Sequence, residues 1–209
     1  MLDGSSAVAL SLQCPNCNVY LPTDNAGSSA ANSFLPPMGA PILVRYRNEG
    51  GFQADLDILP AIAEEAYLID HPEARVARAF LSMCSEGDVN GIVELLATVD
   101  GDGEAGLDIA SVVRYQDPLS GMKSGLHLAV EQRQVEVALL LLWLCSATPT
   151  ESFPPAVRQV AESADIGRLS VGSDEEDIRR LKDHSGLTPG HLARQLQGTW
   201  AEYLDIGLF

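Results

Sequence analysis

Apolar and polar positions alternate along this chain at helical rather than strand spacing, in short blocks closed by Gly, Asp or Pro. "DILPAIAEEAYLID" begins at Asp57, a capping residue type, has Pro60 in its first turn and repeats apolar positions every three to four residues. His71-Pro72 breaks that pattern. "EARVARAFLSMCSEG" predicts a second helix, with Gly87 placed to end it in a left-handed turn. "DVNGIVELLATV" predicts a third helix that starts from Asp88. The most apolar stretch, "SGLHLAVEQRQVEVALLLLWLC", starts at Ser124. Its core, Val137–Cys145, falls far short of the ~20 residues a membrane helix requires. It predicts a buried helix. Residues 1–40 have no sustained period and are rich in Ser, Ala, Asn, Gly and Pro, which predicts an irregular arm. "ILVRYR" (Ile42–Arg47) reads as a short strand or extended segment.

Short helices in pairs, joined by tight turns, call for a search for repeats. "LHLAVEQRQVEVALLLL", from Leu126, resembles the ankyrin repeat, which opens on T-P-L-H-x-A and continues through a short turn to E-V-V-x-L-L-L. Ser124-Gly125 stands where that pattern has Thr-Pro, and Arg133 where it has a turn Gly. "SGLTPGHLARQL" carries the motif again, with Gly186, Thr188, Pro189, His191 and Ala193 in register. Gly190 replaces the usual Leu, and "GTWAEYLDIGLF" reads as a short terminal capping helix. "SEGDVNGIVELLA" matches the middle of a third, worn unit whose first helix has lost the motif.

His127 and His191 are 64 residues apart, close to two periods of about 33. Between them, residues 153–183 read either as a degenerate repeat, with Arg158 at the His position, or as one helix followed by an insertion. The insertion is preferred, because Gly167, Gly172 and the acidic run Ser173–Asp177 interrupt a second helix. The step from Leu81 to His127 is 46 residues, so "TVDGDGEAGLDIASVVRYQDP" is an enlarged finger. The expected fold is therefore all-α: a short ankyrin-type solenoid over residues 56–209, preceded by an irregular extension over 1–55. Its units lie near 73–97, 118–146 and 184–209. One such helix pair cannot offset the entropy of ordering its own residues, so its stability depends on its neighbours.

Charge sharpens this picture. The 209 residues include 13 basic and 29 acidic side chains, a formal net charge of −16. Residues 48–120 hold fifteen Asp and Glu against three Arg, while residues 1–47 hold only Asp3 and Asp24. Such a chain is repelled by nucleic-acid phosphates and anionic lipid. The acid serves either as a solvated surface or as a docking face for a basic protein.

The resemblance implies protein binding through fingers and concave face, and the lack of a catalytic motif leads to the expectation that the chain is not an enzyme. The expected function is an adaptor or dedicated chaperone for a basic client. The alternatives are a regulatory or structural subunit docking by apolar contacts and, less favoured, a metal-dependent enzyme. Asp100, Asp102, Glu104 and Asp108, on the enlarged finger, are the candidate partner-binding residues. Ser173, followed by acid, is a candidate phosphosite. His127 and His191 are expected to be structural, and Trp143 and Trp200 to pack.

Other constellations add little. Cys14-Pro-Asn-Cys17 has the spacing of half a zinc knuckle, but no second pair completes four ligands, so no metal or other cofactor is expected. "DGDGEAGLD" lacks the EF-hand Gly and Glu, which would fall on Ala105 and Ser111. No nucleophile–base order, phosphate loop or dinucleotide fingerprint stands out, and no small-molecule substrate is implied. Four cysteines in all and no basic leader suggest a reducing compartment, cytoplasmic or nuclear.

Overall fold

The computed structural model describes residues 41–101, 108–163, 167–172 and 177–209. Helices dominate, and the sheets are two small antiparallel pairs. The chain divides into two compact units, residues 1–72 and 73–209.

In the first unit, β1 (Leu43–Asn48) pairs antiparallel with β2 (Gly51–Asp57) and leads into α1 (Leu59–Asp70). The sequence suggested one extended segment here within an irregular extension, and the structure makes a hairpin of it. The reason is a small cluster of Ile42, Val44, Ile58, Leu59, Ile62 and Ala66, which the hairpin base and α1 build together. The Asp57 carboxylate joins them, accepting from the amides of Ile42 and Leu59, both at 3.0 Å. The pairing shifts register between Val44 and Tyr46, and opposite that shift Asp55 adopts φ +56°. This is bulge behaviour in a strand whose Gly and Asp content hid it from a periodicity search.

The second unit opens with α2 (Ala74–Glu86) and α3 (Val89–Gly101). Gly87 ends α2 at φ +84°, and Asp88 Oδ1 accepts from the Gly91 amide to start α3. Then come α4 (Ile109–Val113), the two-residue strands β3 (Gln116–Asp117) and β4 (Lys123–Ser124), α5 (Gly125–Glu131) and α6 (Val135–Cys145). Next are α7 (Pro155–Ser163), α8 (Pro189–Leu196) and α9 (Ala201–Asp205). Among the described residues between α7 and α8 there is no further helix.

The core sits on α6. Every side chain from Val137 to Cys145 is buried, and α6 packs against α3, α4, α5 and α7. At 1.5 Å per residue its eleven residues span roughly 16 Å, about half a bilayer's hydrocarbon. Among the described residues no helix is long and apolar enough to cross a membrane. Phe80 and Cys84 of α2 press against α5 where Gly125 lies. A Cβ there would come within 2.9 Å of Phe80 Cε1 and Cys84 Sγ. That close approach favours a residue without a Cβ at position 125.

The carboxyl end of α6 is covered by an extended segment. Leu169 donates its amide to the Leu144 carbonyl (2.8 Å) and Ile178 to that of Cys145 (3.1 Å). Arg168 donates to the carbonyls of Trp143 (2.7 Å), Ser146 (2.8 Å) and Thr148 (2.8 Å), and to Thr150 Oγ1. Its guanidinium also lies 5.9 Å from the ring centroids of both Trp143 and Phe153. A helix leaves its last carbonyls without internal partners, and a cation is favourable there.

Candidate functional site

Two turn-helix motifs organise the second unit, and their hydrogen bonds match one another. In the middle motif Asp117 opens a turn that ends on Gly121 at φ +68°. In the last motif Asp183 opens a turn through Gly186 at φ +75°. Each turn runs into a helix capped by a hydroxyl residue, Ser124 or Thr188, with a His three positions on. The Ser124 amide donates to His127 Nδ1 at 3.2 Å, and the Thr188 amide donates to His191 Nδ1 at 3.2 Å. Each imidazole therefore accepts at Nδ1 and carries its proton on Nε2.

The motifs are also joined to each other. His127 Nε2 donates to the Leu187 carbonyl in the turn of the last motif (3.0 Å). Beside it, His184 donates its amide to the Gly121 carbonyl (2.8 Å) and Gln116 Nε2 donates to that of Lys182 (2.7 Å). Trp200, fully buried, donates Nε1–H to the Val130 carbonyl (3.2 Å). On the other side, Arg78 of α2 pairs with the buried Asp117 at 2.8 Å, and Gln134 Nε2 donates to the Ser85 carbonyl (3.1 Å). Hydrogen bonds and an ion pair thus run from α2 through the β3–β4 turn and α5 to the turn before α8.

Burial sets the protonation states. Desolvation lowers the His127 pKa, against the raising effects of the Leu187 bond and the charges of Asp183 and Glu131. Burial alone would raise Asp177. The hydrogen bonds from the Arg179 side chain and the amides of Ala147 and Arg179, with the guanidinium charge, outweigh it and hold the carboxyl below its ordinary range. The Cys84 and Cys145 thiols are pushed up by burial, which keeps them protonated and poorly nucleophilic.

The candidate partner-binding residues fare unequally. Asp100 lies on the last turn of α3. Asp102, Glu104 and Ser173 lie outside the described residues, as do Cys14 and Cys17. Asp108 is exposed and caps α4: its carboxylate accepts from the Ser111 amide, while Ser111 Oγ accepts from the Asp108 amide at 3.3 Å. Its carboxylate therefore already holds a local structural bond. Trp143 and Trp200 are both buried.

Sequence reading missed a cavity at the last motif, lined by Arg179, Arg180 and Arg194 with His191. The available signal was a basic cluster in an otherwise acidic chain. Among the described residues no group of three or more His, Cys, Asp or Glu side chains is placed to hold a metal ion. The chain matches no protein-family model, no curated protein and no solved structure.

Proposed function

We propose that this chain is a non-enzymatic protein-interaction module, a short ankyrin-type stack that serves as an adaptor or dedicated chaperone for a basic client protein. The observation that carries the repeat reading is the His127 bridge, which caps its own helix through Ser124 and reaches the next turn at Leu187. A pattern of turn, hydroxyl cap and imidazole that recurs and interlocks is how quasi-one-dimensional stacks obtain collective stability. Such stacks present fingers and inner helices as a binding surface. The client reading rests on charge: residues 48–120 carry a formal −12, and the enlarged finger lies within them. The setting proposed is a reducing one, cytoplasm or nucleus.

The combined substitution D100N/D102N/E104Q/D108N tests this. Asn keeps the helix-capping ability of Asp at residue 108. Retention of the basic client should fall sharply, with the melting temperature little changed. Unaltered retention would sink the client reading.

One observation favours a second reading, a subunit docking by apolar contacts. Leu43, Tyr46 and Phe52 of the hairpin are all exposed, Phe52 by 63%. Under that reading Phe52→Ala, rather than the charge change, abolishes binding.

A further inference from the structure

The hairpin of the first unit has an exposed face of mixed character. Ile42 and Val44 pack into the small cluster with Ile58 and Ile62. Alternation therefore puts Leu43, Arg45 and Arg47 of β1 on the opposite face. Phe52 stands directly across from Arg47 and shares that face. All four side chains are exposed, Leu43 by 55% and Phe52 by 63%. Neither Arg45 nor Arg47 has an ionic partner among the described residues.

The two edges of this sheet differ. β2 carries Asp55 and Asp57, and Asp55 stands at the register shift with φ +56°. A bulge and acid on an edge discourage a further strand. β1 holds neither Gly nor Pro, and among the described residues its outer edge has no strand partner. Half of its main-chain N–H and C=O groups point away from β2. A two-stranded hairpin is marginal in water by itself, and a third strand steadies it.

Area and charge restrict what fits. The seven residues of β2 span roughly 24 Å and two strands are about 10 Å wide, so the face offers roughly 240 Å². A folded partner, a second copy included, needs about 800 Å² a side. A single extended segment does not. Opposite charges paired across strands stabilise and like charges repel, so a segment lying beside Arg45 and Arg47 is acidic. The chain's own arm does not match, since residues 1–40 hold only Asp3 and Asp24.

We infer that β1 accepts an extended acidic segment of a partner protein as a third strand. Its acidic side chains lie two residues apart, opposite Arg45 and Arg47, with apolar ones between them beside Val44 and Tyr46. Main-chain bonds supply affinity and the alternation supplies specificity. The inference rests on the second reading above, docking at the hairpin, and gives that reading a partner chemistry.

Amide hydrogen exchange and fluorescence anisotropy on the full chain test it with three peptides of about ten residues. One alternates glutamate with valine, one alternates lysine with valine, and one has the first composition in two blocks. The alternating glutamate peptide should bind and slow exchange within β1, which the lysine peptide should not do. The block peptide should bind more weakly. R45E/R47E should weaken the glutamate peptide about 10-fold or more and let the lysine peptide protect β1, a reversal that a misfolded variant would not show. R133E, on an exposed turn outside the hairpin, should change nothing. No binding of the glutamate peptide, equal binding of its block isomer, or protection elsewhere than β1 would overturn the inference. Self-association of the full chain that R45E/R47E abolishes would also overturn it, by giving the edge to a second copy. Failure of the glutamate peptide with partner capture still lost in F52A removes this inference alone, whereas capture unchanged in F52A removes the docking reading beneath it.

Discussion

His127 Nε2 lies 3.0 Å from the carbonyl oxygen of Leu187, sixty residues along the chain. One buried imidazole thus fastens the start of α5 to the turn that precedes α8. Removing it leaves the Leu187 carbonyl and the Ser124 amide without their partner. Leaving buried polar groups unsatisfied costs about 1–3 kcal/mol each. His127→Ala should therefore destabilise the second unit by about 2–4 kcal/mol in urea unfolding. His191→Ala, at the exposed equivalent, should cost less than about 1 kcal/mol. Equal losses would mean that the bridge to Leu187 contributes nothing.

The same imidazole makes stability depend on pH. Its folded pKa is lowered, so the unfolded chain takes up a proton that the folded chain resists. The stabilisation is complete above the unfolded value of about 6.5 and is lost as pH falls through the folded value. Asp177 is also lowered, and its contribution is complete above about 3.9 and is lost below that. Melting temperature followed from pH 7 downward should fall in two stages. His127→Gln should remove the first stage and spare the second.

Arg133 stands at φ +59°, a left-handed conformation. The residue is exposed at the turn between α5 and α6. Glycine adopts that conformation without the roughly 1–2 kcal/mol steric cost of an L side chain, but it gives up more entropy on folding. Arg133→Gly should therefore stabilise by about 0.5–1 kcal/mol, read as a rise in the urea midpoint. A fall would show that the guanidinium makes a contact outweighing the strain.

Arg168 closes the carboxyl end of α6 with bonds to three backbone carbonyls. Arg168→Met keeps much of the apolar stem but strands those carbonyls, and should cost about 2–4 kcal/mol. Lys offers a point charge in place of a planar fork, so Arg168→Lys should recover only part of the loss. Amide hydrogen exchange should speed up first at Leu169 and Ile178, whose amides bond to the Leu144 and Cys145 carbonyls of that helix end.

How legible each element was follows from the reach of its cause. Gly87 could be read as a helix end, because a left-handed turn has few residue choices. Thr188 and Pro189 could be read as a cap for the same reason. The burial of Val137–Cys145 was legible because nine consecutive apolar residues leave no polar face. The second hairpin strand was not: its Gly and Asp residues oppose strand propensity, and Ile42 and Ile62 favour it only through tertiary contact. Arg168 was invisible because its main partners are backbone carbonyls 20 to 25 residues away, which carry no side-chain pattern. Asp108 was read as a candidate partner contact from its place on the acidic finger, and its capping bond to the Ser111 amide went unread. The Arg179–Arg194 cavity needed the fold to bring its walls together.

The proposal that matters most is recruitment of a basic client by the acidic segment 48–120. Affinity capture on the full chain, quantified at about 50 mM and about 500 mM salt, tests it most directly, because screening strengthens steeply over that range. The account predicts that proteins of high isoelectric point dominate at low salt, fall at least tenfold at high salt, and are lost with D100N/D102N/E104Q/D108N. Recovery of neutral or acidic partners only, or capture indifferent to salt, would contradict it.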